Sequence, residues 1–326
     1  MTPSTLAEQL TKYLTDAHSI EQQAVAQMRK APELTDDPEI SAAFAQHLTE
    51  TEEHERLVRD RLVARDAGPA LLKDLAGTIT GAGFVLFAAA QPDTPGKLVV
   101  HAYSYEHLEE AAYELLARVA ELDGDEETGA LARRIGAQER AMGERLEALF
   151  ERAVEASLRE LAPEDLGEQL DKYLADAHAI EAQALKLLEK APELAGADEL
   201  ASAYQDHLAE TEEHQRLVAD RLEARGSSPS RLKDAALRLG ALNWGAFFRA
   251  QPDTPAKLAG FAYAFEHLEI GAYELLRRVA ARADDPETEQ LADRILAQER
   301  AAAERIESLF EPALDATLSE QGVGPR

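Results

Sequence analysis

The chain has 326 residues, 45% hydrophobic and 29% charged, with a net charge of −28 and no cysteine. These values describe a globular protein that phosphate backbones and anionic membrane surfaces repel, so nucleic acid and membranes are not expected partners. The lack of cysteine excludes disulfides, thiolate metal sites and thiol nucleophiles, and any metal must be held by carboxylate and imidazole.

The length suggests two domains, and the low aromatic fraction of 6% beside abundant Ala, Leu and Glu favours helices over strands. The opening MTPSTLAEQL has no basic stretch followed by an apolar core, and no apolar run reaches the roughly 18 residues of a membrane span. A cytoplasmic protein is the expectation. Residues 8–150 align with 168–310 at a constant shift of 160 without a gap, about 80 of 143 positions being identical. Each repeat is therefore a whole domain, 1–157 and 158–326.

The first helix is expected from Thr5 to Lys30, with Leu6, Leu10, Tyr13, Leu14, Ala17, Ile20, Ala24 and Met28 at three and four spacing. Pro32 and the APELTDDPEI connector end it, and Thr35 or Asp36 is a possible cap ahead of Pro38. A second helix covers about 38–65. Residues 66–92 read as a turn, a short apolar helix and a break at QPDTP, a long crossover that lets the flanking helices lie parallel. A third helix spans about 95–122 and a fourth about 126–153. The apolar fragment Gly81–Ala90 and its more polar counterpart Ala241–Ala250 suit burial against a bundle or between the halves better than lipid.

The octapeptide HLTETEEH at His47–His54 returns as HLAETEEH at His207–His214. On a helix it stacks His47, Glu50 and His54 on one face, one half of a possible metal site. The other helices carry Glu21 in DAHSIEQQA, Glu106 and Glu109 in YEHLEEAAYELL, and Glu139 in AQERAMGER. Their counterparts are Glu181, Glu266, Glu269 and Glu299, with Glu210 and His214 on the second helix of the repeat. Each long helix thus offers a carboxylate near its middle. Four inward acids repel one another unless cations neutralise them, and divalent ions held by Glu and His are the usual solution in bundle cores. Oxygen and nitrogen donors suit iron or manganese, with zinc also chemically possible.

At these residues the sequence resembles the ferritin-like superfamily, and more closely the YciF-like bacterial stress proteins, relatives of rubrerythrin. The resemblance implies an all-α chain of two tandem ferritin-like four-helix bundles, with the two halves packed as a pseudo-dimer. It implies Glu21, Glu50, His54, Glu106 and Glu139 as metal ligands, with Glu109 one turn away, and Glu181, Glu210, His214, Glu266, Glu299 and Glu269 in the second half. An oxidative-stress role involving peroxide or oxygen follows from the same resemblance. Sequence alone leaves open whether His47 and His207, or His54 and His214, are the nitrogen donors. Three residues after Glu139 and Glu299, where the resemblance requires an imidazole, stand Met142 and Ala302. Two ions, one ion, or a metal-free structural or interaction module with a vestigial site therefore stay open, and cage-type iron storage is a further alternative.

Overall fold

A computed structural model describes residues 3–65, 94–227 and 253–323. The described residues are helical with no strand. The crossover expected at 66–92, with its short helix, and the fragments Gly81–Ala90 and Ala241–Ala250 lie outside them.

The chain divides into two compact units, the first built on Met1–Ser157 and the second on Leu158–Glu320. The first holds α1 (Leu6–Met28), α2 (Pro38–Ala64), α3 (Thr94–Asp123), α4 (Glu126–Ala148) and α5 (Phe150–Leu158). The second repeats them as α6 (Leu166–Leu188), α7 (Asp198–Ala224), α8 (Thr254–Arg282), α9 (Pro286–Glu307) and α10 (Phe310–Glu320). Within the first unit α1 packs on α2 and α3, and α4 packs on the same two, which closes a four-helix ring; α6 to α9 form the same ring.

The ring forms because each helix carries one inward stripe with alternating three and four spacing, the pattern that keeps a seam facing its neighbours. On α1 it is Leu10, Leu14, Ala17, Glu21, Ala24 and Met28, all buried. On α4 it is Thr128, Ala132, Ile135, Glu139, Met142 and Leu146. On α2 the buried stripe runs Ile40, Phe44, His47, Thr51, His54, Val58 and Leu62. On α3, Val99, Ala102, Glu106, Glu109, Tyr113, Leu116 and Ala120 are all buried at the same spacing. Each stripe is apolar toward its ends and polar in the middle, so the four seams bring their polar residues to one level of the bundle.

The helix ends are set by local chemistry. Thr5 accepts from the Glu8 amide at the start of α1. Asp37, one residue beyond the expected caps, accepts from the amides of Glu39 and Ile40 with Pro38 at the first helical position. The fourth helix, expected unbroken to about 153, is interrupted at Leu149 and resumes as α5. The α3–α4 turn uses Gly124 at φ 75°, whereas its counterpart in the second unit is Asp284 at φ 52°, an acid that tolerates the left-handed region.

Asp125 caps α4 by accepting from the Thr128 amide at 3.0 Å, and its carboxylate also receives Arg61 of α2 at 2.6 Å and Arg65. Burial opposes its charge, but the hydrogen bonds from Arg61 and Thr128 outweigh it and hold its carboxyl well below the usual range. Asp285 repeats the arrangement with Arg221, Arg225 and Thr288. Asp125→Ala removes a cap and takes one carboxylate acceptor from each of two guanidinium groups, leaving Arg61 with Glu127 and Thr128 and Arg65 with Asp123. It is expected to cost about 2–3 kcal/mol of unfolding free energy. Chemical denaturation of the variant reads this directly, and a loss below about 0.5 kcal/mol would contradict the capping role.

Candidate metal centre

The polar level of the first bundle contains Glu21 from α1, His47 and His54 from α2, Glu106 and Glu109 from α3, and Glu139 from α4, each no more than 1% exposed. Their atoms form two groups. His47, Glu106, Glu109 and Glu139 bring one donor each within 4.8 Å of one another, and Glu21, His54 and Glu139 do the same. Donors each bound about 2.0–2.2 Å from one ion stand at most about 4.4 Å apart, so a shift of a few tenths of an ångström would let either group surround an ion. Glu139 belongs to both.

His47 Nε2 lies 3.0 Å from Glu106 Oε2 and 3.8 Å from Glu139 Oε2, while His54 Nδ1 lies 2.7 Å from Glu139 Oε1 and 3.9 Å from Glu21 Oε1. Despite these approaches, both oxygens of Glu106, Glu109 and Glu139 make no aligned hydrogen bond among the described residues, and neither do His47 Nε2 and His54 Nδ1. The donors crowd one shared space, close to one another but not aligned for hydrogen bonding. Native interiors rarely leave such atoms unsatisfied, since each costs on the order of 1–3 kcal/mol.

The second bundle repeats this with different surroundings. His207 Nε2 lies 2.9 Å from Glu266 Oε2, and His214 Nδ1 lies 2.8 Å from Glu299 Oε1 and 3.8 Å from Glu181 Oε1. The corresponding groups are His207, Glu266, Glu269 and Glu299, and Glu181, His214 and Glu299.

Outer contacts orient the donors. Glu50, among the ligands implied by the resemblance, stands outside both groups. It takes the other side of His47, with Oε2 3.3 Å from Nδ1, and Glu210 holds His207 Nδ1 at 3.2 Å. A carboxylate on one ring nitrogen turns the opposite nitrogen toward the cluster and makes it a better donor. Arg305 in turn holds Glu210. Tyr113 donates its hydroxyl to Glu21, and Tyr273 to Glu181.

Glu50 leaves the cluster for a geometric reason. The stripe of α2 passes from His47 to Thr51, whose hydroxyl bonds back to the His47 carbonyl, and the residue before Thr51 is rotated about 100° onto the helix flank. His47 and His207 therefore enter the site, absent from the implied ligand set although present in the octapeptide. His18 pairs through Nε2 with Glu55 at 2.9 Å and lies outside both groups. The buried Met142 occupies the α4 stripe one turn after Glu139.

Electrostatics follows from burial. Burial pushes the Glu106 carboxyl up to about 7, against the pull of the neighbouring His47 imidazolium. Burial, then Glu139 and Glu21, hold Glu109 well above the carboxylate range, and burial followed by Glu139 does the same to Glu21. Burial disfavours a charged His47, yet Glu106 outweighs it and lifts the ring to about 11. The hydrogen bond from His47 lowers Glu50 to about 2. Without a cation the cluster holds protons in place of one.

Fold and site together define an all-helical tandem-bundle protein with buried carboxylate–histidine groups able to hold metal. The chain belongs to the family described as Domain of unknown function (DUF892), whose family model matches residues 5–159 and again 165–319. No solved structure matches the chain. Among the described residues no helix is long and apolar enough to cross a membrane.

Proposed function

We propose that each bundle is a ferritin-like domain of the YciF-like kind that binds a pair of divalent ions, iron or manganese, between its four helices. The observation that carries this reading is the set of buried, hydrogen-bond-orphaned carboxylate oxygens on Glu106, Glu109 and Glu139, with matching orphans on Glu269 and Glu299. A bundle that left them uncompensated would lose stability at the centre of its own core.

In this reading His47, Glu106, Glu109 and Glu139 would hold one ion and Glu21, His54 and Glu139 the other, Glu139 being common to both groups. The second bundle would use His207, Glu266, Glu269 and Glu299, then Glu181, His214 and Glu299. The all-oxygen-and-nitrogen donor set suits iron and manganese and admits zinc. Bound iron or manganese would supply one-electron redox chemistry toward oxygen or peroxide, an oxidative-stress role in a cytoplasmic protein. The chain's own contribution is to exclude water, to orient both imidazoles from their outer sides, and to hold a proton on Tyr113 Oη beside Glu21.

The six buried donors include only two imidazoles, with Met142 on the α4 stripe where the resemblance requires a third, and this favours a second reading in which protonated acids and the His47–Glu106 pair satisfy the interior of a metal-free structural module. Elemental analysis of protein purified without chelator and reconstituted with iron, manganese or zinc separates the two. The first reading expects about four ions per chain, and fewer than about 0.2 per chain would establish the second.

A further inference from the structure

His47 and His54 face the cluster with opposite ring nitrogens, and the reason lies on their outer sides. His47 offers Nε2 because Glu50 occupies Nδ1. His54 offers Nδ1, and its Nε2 lies 3.3 Å from the side-chain oxygen of Gln138. The second bundle repeats the contact, His214 Nε2 standing 3.2 Å from Gln298 Oε1. In each case the glutamine immediately precedes the shared acid on its helix, Glu139 or Glu299. One rigid segment therefore carries a group on each side of the imidazole.

We propose that Gln138 and Gln298 are positioning residues that set the tautomer of His54 and His214, keeping the proton on Nε2 and the Nδ1 lone pair toward the cluster. A glutamine oxygen can only accept, so the ring nitrogen facing it must carry hydrogen, and a neutral imidazole carries only one. The opposite amide orientation would aim an NH2 group at Nε2. That would move the ring proton to Nδ1, where Glu139 Oε1 at 2.7 Å can accept it, and abolish donation to an ion.

The choice of amide over carboxylate gives the two imidazoles different outer partners. His47 is backed by an anion, which strengthens it as a donor, and His54 by a neutral dipole, which fixes its direction with less added basicity. The His54 end also gathers three donor residues against four at the His47 end. The two ion positions within a bundle are thus built unequal, and the amide is what keeps the weaker one usable. The metal-binding consequence rests on the function proposed above, whereas the tautomer assignment does not.

The test uses the full chain with 15N-labelled histidine, first without metal. The expected spectrum of the neutral rings shows His54 and His214 as Nε2–H tautomers, assigned by their loss in His54→Gln and His214→Gln. Gln138→Leu with Gln298→Leu is expected to convert them to a mixture of tautomers, and Gln138→Glu with Gln298→Glu to restore Nε2–H. Gln138→Asn with Gln298→Asn, which shorten the reach while keeping the amide, serve if leucine disturbs folding, and should give the same mixture.

In manganese titrations followed by competition with a chelator, the leucine or asparagine pair should weaken the weaker binding step about 10- to 100-fold and leave the tighter step unchanged, with rescue by glutamate. An Nδ1–H tautomer in the unaltered chain, or an Nε2–H tautomer that survives both replacements, would overturn the inference. A chain that binds no manganese would refute the proposed function, while the metal-free spectra would still decide the role of the glutamines.

Discussion

Replacing Glu139 and Glu299 by leucine is expected to strip metal from both bundles while making the metal-free protein more stable. Each acid belongs to both donor groups of its bundle, and its two oxygens approach different imidazoles: Glu139 Oε1 lies 2.7 Å from His54 and Oε2 3.8 Å from His47. Removing it takes one donor from each of the two groups. At least a 100-fold loss of affinity is reasonable when single outer contacts already contribute 10- to 100-fold. The stability change has the opposite sign. Glu139 is fully buried on a stripe with Ile135, Met142 and Leu146, so leucine continues an apolar seam and removes an acid from a cluster that repels it. Glu139 raises the carboxyls of Glu21, Glu106 and Glu109, so its removal relieves like-charge repulsion at three buried acids, a gain on the order of 1–2 kcal/mol. Metal analysis and chemical denaturation in chelator, run on the same preparation, test both halves. A destabilised metal-free variant would show that Glu139 is held by favourable protein contacts, and unchanged metal content would remove it from the site.

The opposition of function and stability at one residue also explains how much of this protein is legible in its sequence. The seam of α1 is open to inspection, because Leu10, Leu14, Ala17, Ala24 and Met28 declare its spacing and Glu21 falls into their register. The same holds for α4, where Ile135, Met142 and Leu146 bracket Glu139. On α2 the apolar signal fails over the stretch that matters: between Phe44 and Val58 the buried positions are His47, Thr51 and His54, surrounded by Glu50, Glu52, Glu53 and Glu55. Read locally, His47, Glu50 and His54 share a face, and nothing in the octapeptide separates Glu50 from Thr51. Carrying the spacing inward from Ile40 and Phe44, and outward to Val58 and Leu62, selects Thr51 and leaves Glu50 beside His47. The orienting contacts could not be inferred that way. Gln138 meets His54 across 84 positions of chain, and Tyr113 meets Glu21 across 92.

The stability of the metal-free protein is expected to fall as pH rises from about 6.5 to 8, and bound metal should reverse that trend. Glu106 is raised from 4.5 to about 7, so its proton is held more tightly in the folded state than in the unfolded chain. A group raised in this way contributes its stabilisation fully below the unfolded value and loses it as pH climbs through the folded one. Here the loss begins near 4.5, is nearly complete above 7, and is on the order of 3 kcal/mol per bundle at 1.36 kcal/mol per unit. Glu21 and Glu109, also raised, act in the same direction. His47, raised from 6.5 to about 11, adds a loss that starts near 6.5 and extends beyond the experimental range. Groups lowered on folding are flat across this window: Glu50, at about 2, and Asp125 lose their contributions only on acidification below about 4.5, while His101 and His107, pushed down to about 4 by burial, add stability as pH rises from 4 to 6.5 and nothing further above it. Metal requires the acids ionised and His47 Nε2 unprotonated, so loading releases protons and strengthens with pH. Melting temperatures of chelated and loaded protein should therefore diverge from pH 6.5 to 8, the chelated form falling while the loaded form holds or rises. Parallel curves would show that the ions do not bind through these carboxylates, and a chelated form that gains stability with pH above 6.5 would show that the cluster is ionised without them.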